Sequence, residues 1–439
     1  MRKLFAVILA VPVVILIVLW MLSSNSVLSV NPPVTAIGVT TPVKVHVSNP
    51  HGVRRITAFV EQGDARYQMA EETNPSSRIG FWRHHVLPRD YQFTVGKSKA
   101  AALHDGKARL IIEAQSNDLR GSTDRVILDV DVATQPPRLQ VDEDQHYLNQ
   151  GGGELVTFQP SGYWTEAGVH VGGYTFRSFP LPGKGKDQRF SLFAYPWDLA
   201  PDVVPRVFAR NPTGTEATGR FWFKVFPKAF RSRELEINDD FLDRVVNQID
   251  PGGTGELLDR FLKINGELRR KNNQTLADLR FKTEEKRLWH GAFLQLSNSK
   301  VESNFADLRT YIYKGKKVDQ QVHLGFDLAV SKHTPVEAAN DVRVLWASDL
   351  GIYGNCVVLD HGYALQSIYG HLSRIDVKVG DMVKKAQTLG LSGATGLAGG
   401  DHLHFSMQID GVQVNPVEWF DAHWIHDRVL AKLEPGAAQ

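Results

Sequence analysis

Val322-His323-Leu324-Gly325-Phe326-Asp327-Leu328-Ala329-Val330 alternates with a period of two. Val322, Leu324, Phe326, Leu328 and Val330 fall on one side, and His323, Gly325, Asp327 and Ala329 on the other. That is the period of a strand, not of a helix. Positions i and i+4 of a strand share a face, so the spacing predicts that His323 and Asp327 point the same way, with Gly325 leaving room between them. His402-Leu403-His404-Phe405 follows the same rule, with the two histidines on one face and Leu403 and Phe405 directed into a core. Between the two motifs stands His371, in Tyr369-Gly370-His371-Leu372. Adjacent strands built this way offer several imidazoles and one carboxylate on a single surface.

The chain around these motifs has 439 residues, enough for three or four domains. Apolar residues make up 42% and charged residues 22%, an ordinary globular balance, and the formal net charge of +2 gives no argument for a nucleic-acid partner. The N-terminus departs from this average. Met1-Arg2-Lys3 precedes an uncharged apolar run from Leu4 to Leu22. Wound as a helix, that run spans roughly 28 Å, close to the hydrocarbon thickness of a bilayer. The basic pair ahead of it favours a cytoplasmic N-terminus. The expectation is a single-pass anchor in the inner membrane, with the body facing the periplasm or cell wall. Small residues at Ser24-Asn25-Ser26 leave cleavage of the segment as the alternative. A single cysteine, Cys356, excludes an internal disulfide and reads as a small buried hydrophobe within a strand.

Hydrophobic periodicity divides the rest. After the anchor (1–23), residues 30–135 read as short strands separated by turns, a first β-sandwich of immunoglobulin-like type. Pro136-Pro137 opens a second such unit, 136–228. Residues 231–298 change to a helical period, with Phe241, Leu242, Val245, Val246 and Ile249 forming an apolar stripe. This segment reads as a helical linker, either a spacer or a cover over the groove of the following domain. Residues 299–425 return to strands and carry the histidine motifs, and 426–439 form a C-terminal tail. The fold class expected is mainly β: two sandwiches, a helical linker and a C-terminal β domain that carries the histidine motifs.

Two histidines and a carboxylate suit zinc, and a catalytic zinc keeps three protein ligands with a fourth position for water. His323, Asp327 and one member of the His402/His404 pair supply that set. His371 and the remaining member are then placed to handle protons. His333, in a Lys-His-Thr-Pro turn, and His361, before Gly362, read as turn residues rather than ligands.

The stretch from Asn304 to Phe420 resembles the lysostaphin/LytM-type zinc metalloendopeptidases, which cut peptide bonds of peptidoglycan. The resemblance rests on His323-Leu-Gly-Phe-Asp327, Asn355 to Gly362, Tyr369-Gly-His-Leu372, Val379-Gly-Asp381, Ser392-Gly-Ala-Thr-Gly396, Gly400 to Phe405 and Asn415-Pro416. It implies one zinc per chain on His323, Asp327 and His404, with His371 and His402 as catalytic histidines that activate the water and stabilise the transition state. It also implies a peptidoglycan peptide as substrate. Ser406 stands where such domains often carry an acid, and Ala386 where a hairpin glycine is common, both read as lying outside the metal shell. The alternative is a non-catalytic scaffold or activator of other wall hydrolases, binding protein partners through its β domains. The full set of five site residues speaks against it.

Overall fold

The computed structural model describes residues 2–76, 80–83 and 85–434, with side chains from residue 10 onward. It is mainly β, with 44% of residues in strands against 17% in helices. A helix runs Arg2–Met21 and contains Pro12. Met1 and the side chains of residues 2–9, the first part of the expected anchor, lie outside the described residues. Among the described residues, no helix is long and apolar enough to cross a membrane.

The chain divides into two compact units. The first holds the residues up to Arg138 with Ser161–Glu166 and Ala209–Ala217. A three-stranded sheet (Val27–Val30, Thr41–Ser48, Arg89–Val95) and a five-stranded sheet (Ala36–Ile37, Thr123–Val132, Gly106–Ser116, Val53–Gln62, Ala65–Thr73) share one apolar core. Strand alternation builds that core. Val43, Val45 and Val47 point inward from one sheet while Ile56, Ala58, Val60, Leu110 and Ile112 meet them from the other.

The second unit carries the histidine motifs. Its centre is an eight-stranded antiparallel sheet. In spatial order it runs Lys300–Ser303, Phe326–Ala329, His402–Ile409, Leu365–Leu372, Asn355–Asp360, Val342–Asp349 and Met382–Val383, with Val412–Val414 paired to His402–Ile409. Leu365–Leu372 is buried along its whole length, as a central strand covered on both faces must be.

What covers one face is the helical segment. Residues 257–282 form a continuous helical run, with a π turn at Ile264–Leu268 between α-helices Leu257–Lys263 and Arg269–Asp278. Leu242, Val245, Val246, Phe261, Ile264, Leu276 and Leu279 pack against Tyr311, Leu345, Ile352, Tyr353, Val358 and Ile368 in one core. The last carbonyls of a helix lack intrahelical partners. Here two buried sheet glutamines add partners at the end of the run: Gln366 donates to the Leu279 carbonyl at 3.0 Å and Gln408 to the Leu276 carbonyl at 2.9 Å. The segment also begins as a strand. Ser232–Ile237 pairs in parallel with Asp307–Tyr313, which pairs in turn with Lys316–His323. Residues 231–298 are therefore a built-in part of this unit, not a spacer between domains.

The strands of 139–227 that belong to this unit are joined to it by buried polar contacts. Arg177 donates to Asp410 through Nε at 2.9 Å and Nη2 at 2.7 Å. Asn149 Nδ2 and the Gly153 amide donate to the two carboxyl oxygens of Glu418, each at 2.7 Å. Of the expected tail, residues 426–433 continue as helical turns, and 435–439 lie outside the described residues.

Candidate active site

The strand expected from Val322 to Val330 is broken. Lys316–His323 ends at the histidine, and Phe326–Ala329 begins after two intervening residues in a different sheet. Gly325 is the reason the bend fits. A Cβ there would lie 2.4 Å from Ser406 Oγ, 2.7 Å from the Phe405 carbonyl oxygen and 2.8 Å from His404 Cε1, closer than any side chain tolerates. The bend still delivers His323 and Asp327 to one place. Asp327 faces His404 directly across the ladder, and Ala329 faces His402. The other neighbour of His404 is Gly370, which brings His371 alongside. His371 has φ +65°, a left-handed conformation unusual for a residue with a Cβ and of the kind that collects at functional sites.

His323 Nε2 lies 2.9 Å from Asp327 Oδ1 and 3.0 Å from His404 Nδ1, and His404 Nδ1 lies 3.2 Å from the same carboxylate oxygen. The three donor atoms all fall within 4.8 Å of one another. Hydrogen bonds on the far side of each ring set its tautomer. His323 Nδ1 donates to the Asn304 carbonyl at 3.0 Å, which leaves Nε2 bare. Ser406 Oγ donates to the Leu324 carbonyl at 2.6 Å, so it must accept from His404 Nε2 at 2.8 Å, and His404 Nδ1 is bare. Two imidazole lone pairs and a carboxylate oxygen thus face each other at hydrogen-bond distance with no proton between them. Such an arrangement repels itself unless a cation sits among them, and this donor set fits zinc. Ser406, read from the sequence as outside the metal shell, orients one of its ligands.

Around this trio the charges are arranged to keep the carboxylate ionised. Burial raises the Asp327 carboxyl, but when protons stand in the place of a metal the charge and hydrogen bonds of His323, with those of His402 and His404, outweigh it and hold it well below the usual range. Arg309 Nη2 donates to Asp327 Oδ2 at 2.5 Å, leaving Oδ1 to the histidines. Burial pushes His404 down to about 4 and holds His371 well below its ordinary value, helped in the latter by the neighbouring His402 and His404. His402 goes the other way: burial lowers it, but its hydrogen bond to Asp327 raises it more. His371 and His402 both donate Nδ1–H to backbone carbonyls, of Thr395 and Gly400, each at 2.8 Å. Their Nε2 atoms are therefore available for proton transfer, and the ring centres stand 4.8 Å apart.

The site opens into a cleft of about 600 Å3, lined by the trio with His371, His402, Arg309, Tyr353 and, from the helical segment, Arg269 and Asn273. The segment forms one wall of this cleft and leaves it open. Tyr353 sets its ring edge to His404 at 5.4 Å and donates its hydroxyl to Asn273 Oδ1 at 2.9 Å. His361 is elsewhere. It is fully buried, 2.8 Å from Ser367 Oγ, and lowered to about 3 by burial. His333 is exposed in a turn at φ +59°. Cys356 is fully buried, and burial pushes its thiol far up, so it offers no thiolate.

The histidine–aspartate–histidine centre on an antiparallel β domain is an arrangement that could hold one metal ion. Residues 321–416 match peptidase family M23, and the C-terminal domain belongs to that family. Among curated proteins, the chain is 45% identical over 96 residues to an uncharacterised metalloprotease of Haemophilus influenzae, covering 22% of this chain and 20% of that protein. It is 36% identical over 124 residues to the peptidoglycan DD-endopeptidase ShyA of Vibrio cholerae, covering 28% of each. The chain thus spans only 20–28% of the length of these curated relatives. Among solved structures, the catalytic domain of the antimicrobial peptidase lysostaphin from Staphylococcus simulans matches at 26% identity and a TM-score of 0.22, over 33% of this chain and 96% of that one.

Proposed function

We propose that the protein is a zinc metalloendopeptidase that hydrolyses peptide bonds in peptidoglycan cross-links or stem peptides. The observation that carries this reading is the convergence of His323 Nε2, His404 Nδ1 and Asp327 Oδ1, all unprotonated, at the floor of an open cleft. Zinc bound there supplies a Lewis acid and a water acidic enough to be ionised near pH 7. His323, His404 and Asp327 hold it, and Arg309 fixes the carboxylate. His402 and His371 present Nε2 to the reacting centre, one to take the proton of the attacking water and the other to donate to the charge that develops on the peptide oxygen. The relatives named as peptidoglycan DD-endopeptidases support this choice of substrate.

The N-terminal helix anchors the protein in the inner membrane in this reading, with the body facing the periplasm or cell wall. The charge-free run from Leu4 to Leu22 behind Arg2-Lys3 supports it. The first unit is read as an immunoglobulin-like sandwich, on the strength of its two sheets around one core.

Metal analysis of the purified ectodomain should give about one zinc per chain, and incubation with sacculi should release peptides visible by mass spectrometry. Changing His404 to Ala should remove the zinc, and changing His371 to Ala should abolish the release while leaving zinc bound. Product release by metal-free protein would overturn the proposal. Alkaline extraction of membranes tests the anchor: the full chain should stay with the lipid, and a chain lacking residues 1–23 should not.

A further inference from the structure

One cation in the cleft has no carboxylate partner among the described residues. Arg269 lies on the helical run 257–282, facing the cleft across from the histidines. Its Nε donates to the Asn265 carbonyl and to Asn265 Oδ1, both at 3.2 Å, and its Nη2 donates to Oδ1 at 2.5 Å. Asn265 is fully buried and is itself fixed, because its Nδ2 donates to Asp319 Oδ2 at 2.7 Å. That bond forces Oδ1 toward the guanidinium. A buried amide, oriented by a carboxylate behind it, thus holds the arginine in one position by two of its five N–H groups.

The local backbone is adapted to this placement. Asn265 lies in the π turn Ile264–Leu268, a rare irregularity that recurs at functional sites. Asn265, Arg269 and Asn273 follow one another at four-residue spacing, and the last two line the cleft. Asn273 ends the row by accepting from Tyr353, whose ring meets His404. Arg269 and Asn273 thus line the same cleft, with Asn273 bonded to the tyrosine at the wall of the metal centre.

The charges of the cleft are unbalanced. Asp327 is the one carboxylate that lines it among the described residues, and Arg309 takes one of that carboxylate's oxygens. Arg269 adds a positive charge with no carboxylate in direct contact among the described residues, Asp319 standing one amide away behind Asn265, and a divalent metal would add two more. Both Nη1 hydrogens and one Nη2 hydrogen remain without acceptors among the described residues. One hydrogen of Nη1 and the remaining hydrogen of Nη2 form the end-on edge of the guanidinium, which matches the two oxygens of a carboxylate.

We propose that Arg269 is a specificity-determining residue that binds a free carboxylate on the peptide substrate, close to the bond that is cut. The substrate class is then a cross-linked peptide carrying an ionised carboxyl beside the cross-link. This rests on the peptidase reading above and narrows it.

The test uses two cross-linked peptide dimers released from peptidoglycan, identical except that the carboxylates beside the cross-link are free in one and amidated in the other. The zinc-loaded ectodomain should cleave the free form with a kcat/KM at least ~10-fold higher, the difference lying mostly in KM, as expected for one charge-assisted pair. In R269Q that ratio should collapse toward 1, and R269K should keep part of it. The same ratio should appear in equilibrium binding to H371A, and disappear in H371A/R269Q. Zinc content and circular dichroism report whether each variant is folded. If R269Q does not fold, the wild-type ratio and R269K decide. Equal cleavage of both dimers by the wild type would overturn the proposal and leave the peptidase reading standing. Cleavage of neither would overturn both.

Discussion

Ser406 and His404 share one strand, two residues apart, and the hydroxyl of the first dictates which nitrogen of the second faces the metal position. Ser406 Oγ is committed as a donor to the Leu324 carbonyl at 2.6 Å, so it can only accept from His404 Nε2. Removing the hydroxyl frees the ring to turn or to change tautomer. S406A should lower zinc affinity by ~10–100-fold, as loss of outer partners of metal ligands does elsewhere. It should also cost ~1–3 kcal/mol of stability, because a buried carbonyl and a ring N–H lose their partner. Competition against a chelator of known affinity measures the first and denaturant unfolding the second. Unchanged zinc affinity would show that packing alone orients His404.

The helical segment makes a second prediction. Half of the core between helices and sheet is supplied by Ile237, Leu242, Val245, Val246, Phe261, Ile264, Leu276 and Leu279. Burying one such side chain contributes ~1.5–3 kcal/mol. A chain beginning at Ser299 would lose all eight, expose Tyr353, Ile368 and Val358, and strip the edge of Asp307–Tyr313. It should be insoluble or unfolded rather than more active. A soluble, cooperatively folding chain from Ser299 with raised activity would restore the idea of a removable cover.

The site was legible in the sequence because its residues sit on strands, where spacing alone tells which side chains share a face. His402 and His404 needed only the period of two. The bend at Leu324–Gly325 did not show, because the alternation of apolar residues continues across it although the hydrogen-bond partners change sheets. Arg309 was missed for a related reason. It comes from a strand whose partner, Lys316–His323, is identified only by pairing. The amphipathic stripe of 239–249 announced a buried face but not what buries it. Asp410 and Glu418 gave no signal in the sequence and are buried, at 2% and 6% exposure, with Arg177, Asn149 and Gly153 reaching them from more than two hundred residues away.

Ala386 shows where the chain departs from a common glycine at a cost. Its φ is +67°, in the left-handed region, within a tight turn closed by the Gln387 amide on the Lys384 carbonyl at 3.0 Å. A Cβ in that conformation costs about 1 kcal/mol that glycine does not incur. A386G should therefore raise stability by about 1 kcal/mol and leave catalysis alone, since the turn lies apart from the cleft lining. Urea unfolding of the two proteins decides it. A destabilised A386G would mean that the flexibility glycine gains in the unfolded chain outweighs the strain.

Glu418 gives the pH dependence. Burial raises its carboxyl from 4.5 to about 7, more than the hydrogen bonds from Asn149 and Gly153 lower it, and the nearby charge of Glu154 adds to the rise. Between about 4.5 and about 7 the folded chain keeps this proton and the unfolded chain does not. Stability from this group is therefore fully present below the unfolded value and declines as pH rises toward the folded one. The full decline is roughly 3 kcal/mol, from a gap of about 2.5 units at 1.36 kcal/mol each. Gln at this position has no proton to lose. E418Q should therefore gain on the wild type steadily from pH 5 to pH 8 and hold a constant difference above that. Denaturant unfolding of both proteins across this range, with zinc saturating throughout, measures the difference directly. A wild-type-to-E418Q difference that stays flat from pH 5 to pH 8 would mean that Glu418 is already ionised in the folded chain, with its two donors and the solvent outweighing its burial.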